Sequence, residues 1–540
     1  MDRWNVPRGA SLVLFALLAS IAVDAHAKGD LRKVNHVIIV MQENHSFDNY
    51  FGALPYVPDG PYHAGPCRGN DHRCVDGLTC ESKGSRLECK NWNLDADAPP
   101  GKRKVQAFNL TNYCPAPDLN HEWLGSHQEA NFDDPRNTLR QSPNDGFVRV
   151  NDATGQIDIG ESDTEDETMG YYDQADLPFY YGLAQTFAIS DRYFSSVLGP
   201  TLPNRAYSMA ATSFGHLTTD EIIPPLVPPP GGYRPITGTI LDLLDGKGVT
   251  WMDFLSNLPS TGIFRGLDPT HLVPVNFLPA FAPPKPGDCA LPAVSFIDSF
   301  FGLSPADLPL ENDEHPPSSI KKGESFVSQI VNILRNSACW DDSVIFITYD
   351  EHGGFYDHVS PPRAPQGGVR NPDGVDPGLC ADESAPPVSE QPGFGANCTI
   401  SKIDAKSLCP EFDPLALHPT YPASCPNFDQ LGFRVPFMAV SPFSKPGYVS
   451  HVVADHSSML AFIEKRFLSS DSGGGDGDDE EDGDEDGDHR HQPRAMRAHL
   501  TLRDLYATTL EDLFDFDRTP SLSTPVPPPE DDSRCQQSSP

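Results

Sequence analysis

Two short apolar runs, each followed at once by carboxylates, constrain the fold of this chain most. Residues 344–347 form one run, and Asp350 and Glu351 come shortly after it. Residues 34–41 form the other, which leads into Glu43. Unbroken apolar runs of this length suit strands that are buried on both faces of a parallel sheet. Because further apolar strands alternate with helical patterns along the chain, the sequence predicts an α/β fold with a mostly parallel central sheet.

The polar residues after these two strands predict a cation site. Ligand sites of open α/β sheets lie beyond the carboxyl ends of the strands, and neighbouring strands would bring two clusters of oxygen donors to one edge. Adjacent carboxylates repel unless a proton or a cation compensates, and hard cations prefer oxygen ligands. We therefore expect one divalent or other hard metal cation, of unknown identity. The alternative is a solvated acidic turn closed by Gly353 and Gly354. The predicted metal ligands are Glu43, Asn44, Asp350 and Glu351.

Composition sets the class of partner. The net charge of −37 over 540 residues argues against a nucleic-acid partner, because little positive surface remains to neutralise phosphates. Part of the charge lies in residues 471–488, a run of Asp, Glu and Gly with almost nothing apolar to bury. This run predicts a disordered acidic insertion over about 469–492. The proline-rich residues 517–540 are expected to form a disordered tail.

The N-terminus is typical of a secretory signal peptide. Arg3 and Arg8 precede the apolar residues 12–23, and the small-residue pattern A-H-A follows, so we predict a signal peptide at 1–27. The apolar stretch is shorter than the roughly 20 residues of a membrane span, and we expect no transmembrane anchor. The mature protein is therefore predicted to be secreted, whether extracellular, periplasmic or in the cell wall.

Twelve cysteines fit disulfides in an oxidising compartment. Nine of them cluster within about 55–115 and again within about 365–430, while Cys289, Cys339 and Cys535 stand apart. We therefore expect two cysteine-rich insertions in one domain of residues 28–516. Their pairing does not follow from the sequence.

A glycine- and proline-rich turn supplies a candidate nucleophile. Thr201 follows Gly199 and Pro200 just before a predicted helix, where free backbone N–H groups and the helix dipole favour an attacking oxygen and hold phosphate. Arg205 lies one turn later and either grips a phosphate or pairs with an acidic neighbour. His315 lies on a loop that can reach the site.

Other patterns predict the remaining elements. Residues 177–187 have helical apolar spacing with Asp176 as the cap and Pro178 in the first turn. An amphipathic helix is expected over 236–244, and a terminal helix over 501–514.

Seven segments, in order, resemble a known family: VIIVMQENHSFDNYFG, MGYYDQADLPFYYGLA, SVLGPTLPNR, EHPP, SVIFITYDEHGGFYDHV, RVPFMAVSPFSKPGYVSH and ADHSSMLAFIE. Together they look like the secreted phosphoesterases that include bacterial non-haemolytic phospholipases C and a related acid phosphatase. The resemblance spans about residues 33–467. It implies a three-layer α/β/α sandwich similar to alkaline phosphatase.

The resemblance also implies roles for individual residues. Thr201 would be the nucleophile, and the four predicted ligands would hold the metal. Asn204 and Arg205 are the predicted substrate-binding residues. Thr201 and Glu351 resemble the phospholipase C branch, because the acid phosphatase branch has a serine and a pair of aspartates there. The implied catalytic helpers are His121, His315, Asp357 and His358.

We therefore predict a phospholipase C that hydrolyses phosphatidylcholine-type phosphodiesters to diacylglycerol and a phosphorylated head group through a phosphothreonine intermediate. Its partners would be a phospholipid or a small phosphoester, with transient contact to a membrane surface. Two alternatives stay open: a broad-specificity acid phosphatase, and a non-enzymatic exported cation-binding or adhesion module.

Overall fold

The computed structural model describes most of the chain. The described ranges are 30–84, 86–95, 104–115, 118–131, 142–153, 165–219, 232–235, 237–266, 268–281, 289–302, 306–364, 428–469 and 498–523. The predicted signal peptide lies outside them. So do nearly all of the second cysteine-rich insertion, the acidic tract and the tail beyond residue 523.

A mixed eight-stranded sheet forms the centre of the described structure. Its strands, numbered in chain order, are β1 (His36–Gln42), β2 (Ala188–Ser190), β3 (Trp251–Leu255), β4 (Leu272–Pro274), β5 (Val294–Asp298), β6 (Ser343–Tyr349), β7 (Phe437–Val440) and β8 (Tyr448–Ser450). Their spatial order is β4-β3-β5-β1-β6-β7-β2-β8. Only β7 among them runs antiparallel to its two neighbours. The predicted α/β fold with a mostly parallel central sheet is confirmed.

Helices connect these strands. They are α1 (Phe47–Phe51), α2 (Trp123–Ala130), α3 (Phe147–Ala153), α4 (Pro178–Thr186), α5 (Thr201–Ala210), α6 (Ile240–Lys247), α7 (Gly262–Arg265), α8 (Leu278–Phe281), α9 (Ile320–Arg335), α10 (His456–Ile463) and α11 (Leu502–Tyr506). Short 3₁₀ turns occur at Leu31–Lys33, Leu54–Tyr56, Glu165–Met169, Val275–Phe277, Ala338–Asp342 and Glu511–Leu513, and a π-helical turn at Glu464–Leu468. No helix of the described residues has the length and apolar character needed to span a membrane.

Helix α9 shows why the spacing of apolar residues predicts a helix well. Ile320, Phe326, Ile330 and Leu334 are all buried in the core cluster that also contains the central strands. Phe326, Ile330 and Leu334 are four residues apart, and Ile320 lies six residues before Phe326. All four therefore fall on one face of the helix, and burial of that face stabilises it against the sheet.

Three helix ends differ from the sequence-based expectation. Helix α6 begins at Ile240 rather than 236, because Thr239 and Asp242 form a reciprocal capping box there. Asp176 does not cap α4: its carboxylate accepts hydrogen bonds from Asn109 and Tyr113 instead. The expected terminal helix stops at Tyr506, because Ala507 adopts an extended backbone with ψ of 150°. Further on, Leu510 adopts a left-handed backbone with φ of 57°.

The first cysteine-rich insertion is held by small ribbons and disulfides. Antiparallel pairs join Cys80–Lys83 to Arg86–Cys89 and Trp92–Leu94 to Lys104–Gln106, and a short parallel pair joins Phe108–Asn109 to Gly170–Tyr171. Disulfides join Cys67 to Cys74, Cys80 to Cys89 and, outside this insertion, Cys289 to Cys339. Cys114 is disulfide-bonded as well.

Candidate active site

The two strands that the sequence predicted as neighbours are neighbours. Strands β1 and β6 pair in parallel, with Gln42 opposite Tyr349. The residues that follow each strand therefore meet at the same edge of the sheet. The backbone N–H of Asn44 lies 3.4 Å from Asp350 Oδ1, which brings the two predicted ligand pairs together.

Tight backbone packing holds the two loops against each other. Gly353 has a φ of 64°, and a Cβ atom at this position would lie 2.1 Å from the carbonyl oxygen of Asn44. Asn44 itself adopts a left-handed backbone with φ of 65°. A side chain at Gly353 would push the loops apart, so glycine is required for this contact.

The three carboxylates among the predicted ligands carry negative charge that Arg205 and nearby histidines compensate only in part. Burial raises the pKa of Asp350 to about 7, and repulsion from Glu43 and Glu351 opposes the lowering effect of Arg205. Burial also raises the pKa of Glu43. Glu351 differs: although burial opposes its charge, His121 and His352 lower its pKa. A cation among these groups would stabilise all three carboxylates.

Two orphaned oxygen atoms show that the donor set fits a hard cation. Asn44 Oδ1 and Glu351 Oε1 are buried and have no hydrogen-bond partner among the described residues. A buried polar atom without a partner costs roughly 1–3 kcal/mol. Carboxylate and amide oxygens are ligands that hard cations accept, so Glu43, Asn44, Asp350 and Glu351 have the chemistry to hold one.

Arg205 bridges two of the predicted ligands. Its Nε donates to Asp350 Oδ2 at 3.0 Å, and its Nη2 donates to Glu43 Oε1 at 3.0 Å. Its guanidinium also stacks on the ring of Phe301. Of the two roles left open by the sequence, this is pairing with acidic neighbours; a phosphate contact stays a prediction.

Thr201 is the first residue of α5, as the sequence predicted, and is half-buried. Thr201 and Arg205 are four residues apart and so lie on one face of the helix. Arg205 on this face reaches the carboxylates of Asp350 and Glu43, and the placement of Thr201 Oγ1 at the same site stays a prediction.

Asn204 holds the turn before Thr201. Its amide accepts from the backbone N–H of Val197 and donates to the carbonyl groups of Gly199 and Pro200. This side chain therefore positions the turn, and its predicted contact with substrate stays a prediction.

His121 and His315 lie face to edge, with ring centroids 5.8 Å apart. The Nδ1 of His121 contacts the carbonyl of Leu119 and that of His315 the carbonyl of Pro316, both at 2.7 Å. Each Nδ1 must carry its proton for this contact, which leaves Nε2 for chemistry. Burial alone would lower the pKa of His315, but nearby carboxylates raise it to about 10, and they are those of Asp118, Glu43 and Asp313.

A buried carboxylate fixes the loop that carries His315. Glu314 accepts hydrogen bonds from the hydroxyl groups of Tyr50, Tyr180 and Tyr349. Burial raises its pKa to about 7, against the lowering effect of these donors. The backbone of Glu314 is left-handed, with φ of 75°. Sequence reasoning missed the tyrosines, because they come from three separate segments.

His352 links a predicted ligand to a distant helix. Its Nδ1 lies 3.0 Å from Glu351 Oε2 and its Nε2 lies 2.7 Å from Glu129 Oε2 on α2. All three side chains are buried. Burial opposes the charge of His352, but Glu129 and Glu351 raise its pKa to about 9. His352 is therefore protonated at neutral pH and orients Glu351.

Asp357 and His358 form a separate cluster around Arg434. Arg434 donates to both oxygens of Asp357 and to Asp48. His358 contacts Asp48 Oδ2 at 2.6 Å and Asp76 Oδ1 at 3.2 Å, so both of its nitrogens face carboxylates. Sequence reasoning missed Arg434, which precedes a strand instead of following one. It missed Asp48 too, although Asp48 lies in the NHSFDNYF segment that contributes to the family resemblance.

Residues 34–468 match the family model described as the Phosphoesterase family. The chain belongs to this family. The resemblance found in the seven segments is thereby confirmed, and so is the prediction that this phosphoesterase is a hydrolase of phosphoric esters.

Named relatives of this phosphoesterase come from bacteria and plants. It is 28% identical over 478 residues to phospholipase C B of Mycobacterium tuberculosis. The matched region covers 81% of this chain and 74% of that relative. It is 26% identical over 544 residues to non-specific phospholipase C6 of Arabidopsis thaliana, and the matched region covers 98% of this chain and 81% of that relative. It is 27% identical over 479 residues to non-hemolytic phospholipase C of Pseudomonas aeruginosa, and the matched region covers 85% of this chain and 57% of that relative.

Proposed function

We propose that this phosphoesterase is a secreted phospholipase C that cleaves phosphatidylcholine-type phosphodiesters to diacylglycerol and a phosphorylated head group. The observation that carries the proposal is the pair of orphaned oxygens, Asn44 Oδ1 and Glu351 Oε1, beside two further carboxylates. The names of the relatives support diester hydrolysis. The proposal also includes the predicted three-layer α/β/α sandwich similar to alkaline phosphatase.

Glu43, Asn44, Asp350 and Glu351 would hold one divalent cation. When bound, the cation supplies Lewis-acid stabilisation of the negative charge on the phosphoryl oxygens. The N–H groups expected to be free at the start of α5 are mostly not free, because Leu202 donates to Thr219 Oγ1 and Pro203 has no N–H. The helix dipole would add to this stabilisation instead.

Thr201 would attack the phosphorus with its Oγ1 and release its hydroxyl proton to solvent, while the bond between phosphorus and the diacylglycerol oxygen breaks. His315, which is protonated at neutral pH, would give a proton to that oxygen from Nε2. Water would then attack the phosphothreonine, with His121 as the base that takes a proton from it. As the bond between phosphorus and Oγ1 breaks, His121 would pass this proton to Oγ1, the phosphorylated head group would leave, and His315 would regain its proton from solvent.

His358 is the weaker candidate for the acid, since both of its nitrogens face Asp48 and Asp76. We propose that Asp357 and His358 support the loop after β6 rather than transfer protons.

Hydrolysis of p-nitrophenyl phosphorylcholine by Thr201→Ala tests the proposal. We expect turnover to fall at least a thousandfold, while Thr201→Ser, which keeps a hydroxyl, retains measurable activity. Near wild-type turnover in Thr201→Ala would contradict the nucleophile. Higher activity of the wild-type enzyme on p-nitrophenyl phosphate than on phosphatidylcholine would contradict the diester assignment and favour a phosphomonoesterase.

A further inference from the structure

A second cluster of ligating side chains lies where the C-terminal segment returns to the domain. Glu464 opens the π-helical turn that continues α10. His499 and Asp504 belong to the segment 498–523. Each of the three offers a donor atom, and these atoms all lie within 4.8 Å of one another. None of these residues belongs to the candidate active site.

The contacts within this cluster are short. His499 Nδ1 lies 2.6 Å from Glu464 Oε2 and 3.8 Å from Asp504 Oδ2. The side chains of Glu464 and Asp504 are 1% and 0% exposed, whereas that of His499 is 23% exposed. The histidine therefore lies between two buried carboxylates and solvent.

One oxygen of the cluster is orphaned. Glu464 Oε1 is buried and has no hydrogen-bond partner among the described residues. A side-chain hydrogen bond joins Glu464 to Asp504, so their two carboxyl groups are in direct contact. Two buried carboxylates in contact need either a shared proton or a cation.

Asp504 is held in place by the backbone. Its Oδ1 accepts from the N–H of Thr501 at 2.8 Å, and its Oδ2 accepts from the N–H of Leu500 at 2.7 Å. These bonds fix the carboxylate before any ligand arrives. The π-helical turn at Glu464 is an irregularity of a kind found frequently at functional sites.

We infer that Glu464, His499 and Asp504 bind a divalent transition metal such as zinc. Imidazole and carboxylate donors suit zinc, and three protein ligands leave one position for water. The imidazole disfavours magnesium and calcium, which take oxygen ligands.

A metal here would stabilise the packing of the C-terminal segment against the C-terminal half of α5. Thr501 Oγ1 donates to the carbonyl of Ala211, which ends α5. The guanidinium of Arg503 stacks over Tyr207 within α5, at 4.7 Å from the ring centroid. Because α5 begins at Thr201, the proposed metal would join the C-terminal segment to the helix that carries the candidate nucleophile.

Zinc titration of the full-length, chelator-treated protein tests this inference. The stoichiometry and affinity are measured by calorimetry, and the thermal midpoint is measured with and without zinc. We expect Glu464→Gln and His499→Ala each to weaken one zinc site at least tenfold and to reduce the rise in thermal midpoint that zinc causes. Glu464→Gln keeps the shape of the side chain and decides the matter if His499→Ala does not fold.

His451→Ala is the matched control, since His451 also pairs with a buried carboxylate, Asp191, at 2.7 Å. It should bind as much zinc as the wild type. The inference is overturned if both test variants bind zinc with wild-type stoichiometry and affinity. It is equally overturned if zinc leaves the thermal midpoint of the wild type unchanged, which is the result expected when the two carboxylates share a proton.

Discussion

The two oxygens of Glu351 have different surroundings. Oε2 accepts from the backbone N–H of Gly353 at 2.8 Å and contacts His352, while Oε1 has no partner among the described residues. The side chain is thus held by one oxygen and free to bind with the other. Groups that orient a metal ligand in this way typically change metal affinity 10–100-fold when they are removed.

Glu129→Ala should separate this orienting role from the ligands themselves. Loss of the carboxylate leaves the buried, charged His352 without one of its partners, so we expect the free energy of unfolding to fall by about 3 kcal/mol. We expect the affinity of the chelator-treated protein for its cation to fall about 10–100-fold. Urea unfolding and metal titration measure the two effects.

Glu88→Ala is the control for this experiment. It removes the carboxylate of an exposed pair with Lys83, and exposed pairs contribute roughly 0–1 kcal/mol. It should leave metal affinity unchanged. Equal metal affinity in Glu129→Ala and the wild type would show that His352 orients Glu351 without help from α2.

The meeting of the four predicted ligands at one edge of the sheet could be predicted from sequence, because each pair directly follows a buried strand. Glu129 could not be found in this way: it lies 223 residues from His352 in the chain and inside a helix, where a glutamate is ordinary. Its partner becomes visible only when α2 packs against the loop after β6.

At the scale of elements, the start of α5 depends on one amide. Asn204 joins the second turn of the helix to the preceding loop through three hydrogen bonds. The backbone at Val197, Gly199 and Pro200 thereby becomes part of the helix end. The position of Thr201 follows from this arrangement.

Asn204→Ala should therefore lower kcat about a hundredfold with little change in KM, since small displacements of a reacting group have effects of this size. Asn204→Asp keeps the acceptor for the N–H of Val197 and loses the two donated hydrogen bonds. Its kcat should therefore lie between that of the wild type and that of Asn204→Ala. Steady-state kinetics with p-nitrophenyl phosphorylcholine measures both. A raised KM with unchanged kcat would instead indicate contact with the substrate.

Periodicity predicted the helices that pack on the sheet better than it predicted their ends. Helix α9 has an apolar face that is buried over its whole length, so the pattern and the structure agree. The segment after Tyr506 has apolar residues too, but Leu510 adopts a left-handed backbone. Such a local conformation is imposed by tertiary contacts and leaves no signature in the spacing of residues.

At the scale of the whole molecule, the cluster around Arg434 joins distant parts of the chain. Arg434 and Asp48 are 386 residues apart, and Asp76 comes from the first cysteine-rich insertion. His358 adds its own contacts to both aspartates. Burial alone would lower its pKa, but Asp48 and Asp76 raise it to about 10.

This pairing predicts a loss of stability in alkali. The pKa of an unfolded histidine is about 6.5, so the contribution of His358 is complete below that pH and is lost as pH rises through about 10. Between these values the free energy of unfolding of the wild type should fall, relative to His358→Asn, by on the order of 5 kcal/mol. Urea unfolding at a series of pH values measures the difference.

His63→Asn removes an exposed histidine beside Asp71 and should give a curve parallel to that of the wild type. If the curve of His358→Asn were also parallel, the cluster would owe its stability to Arg434 alone.

The reversed direction of β7 has a consequence for how such sites arise. Phe437 at its start pairs with Thr348 near the end of β6. A residue just before an antiparallel strand therefore lies at the same edge of the sheet as residues just after the parallel strands. Arg434 is such a residue, and its guanidinium adds positive charge to an edge that is rich in carboxylates. A search for site residues that considers only the residues after each strand would overlook the residues that precede an antiparallel strand.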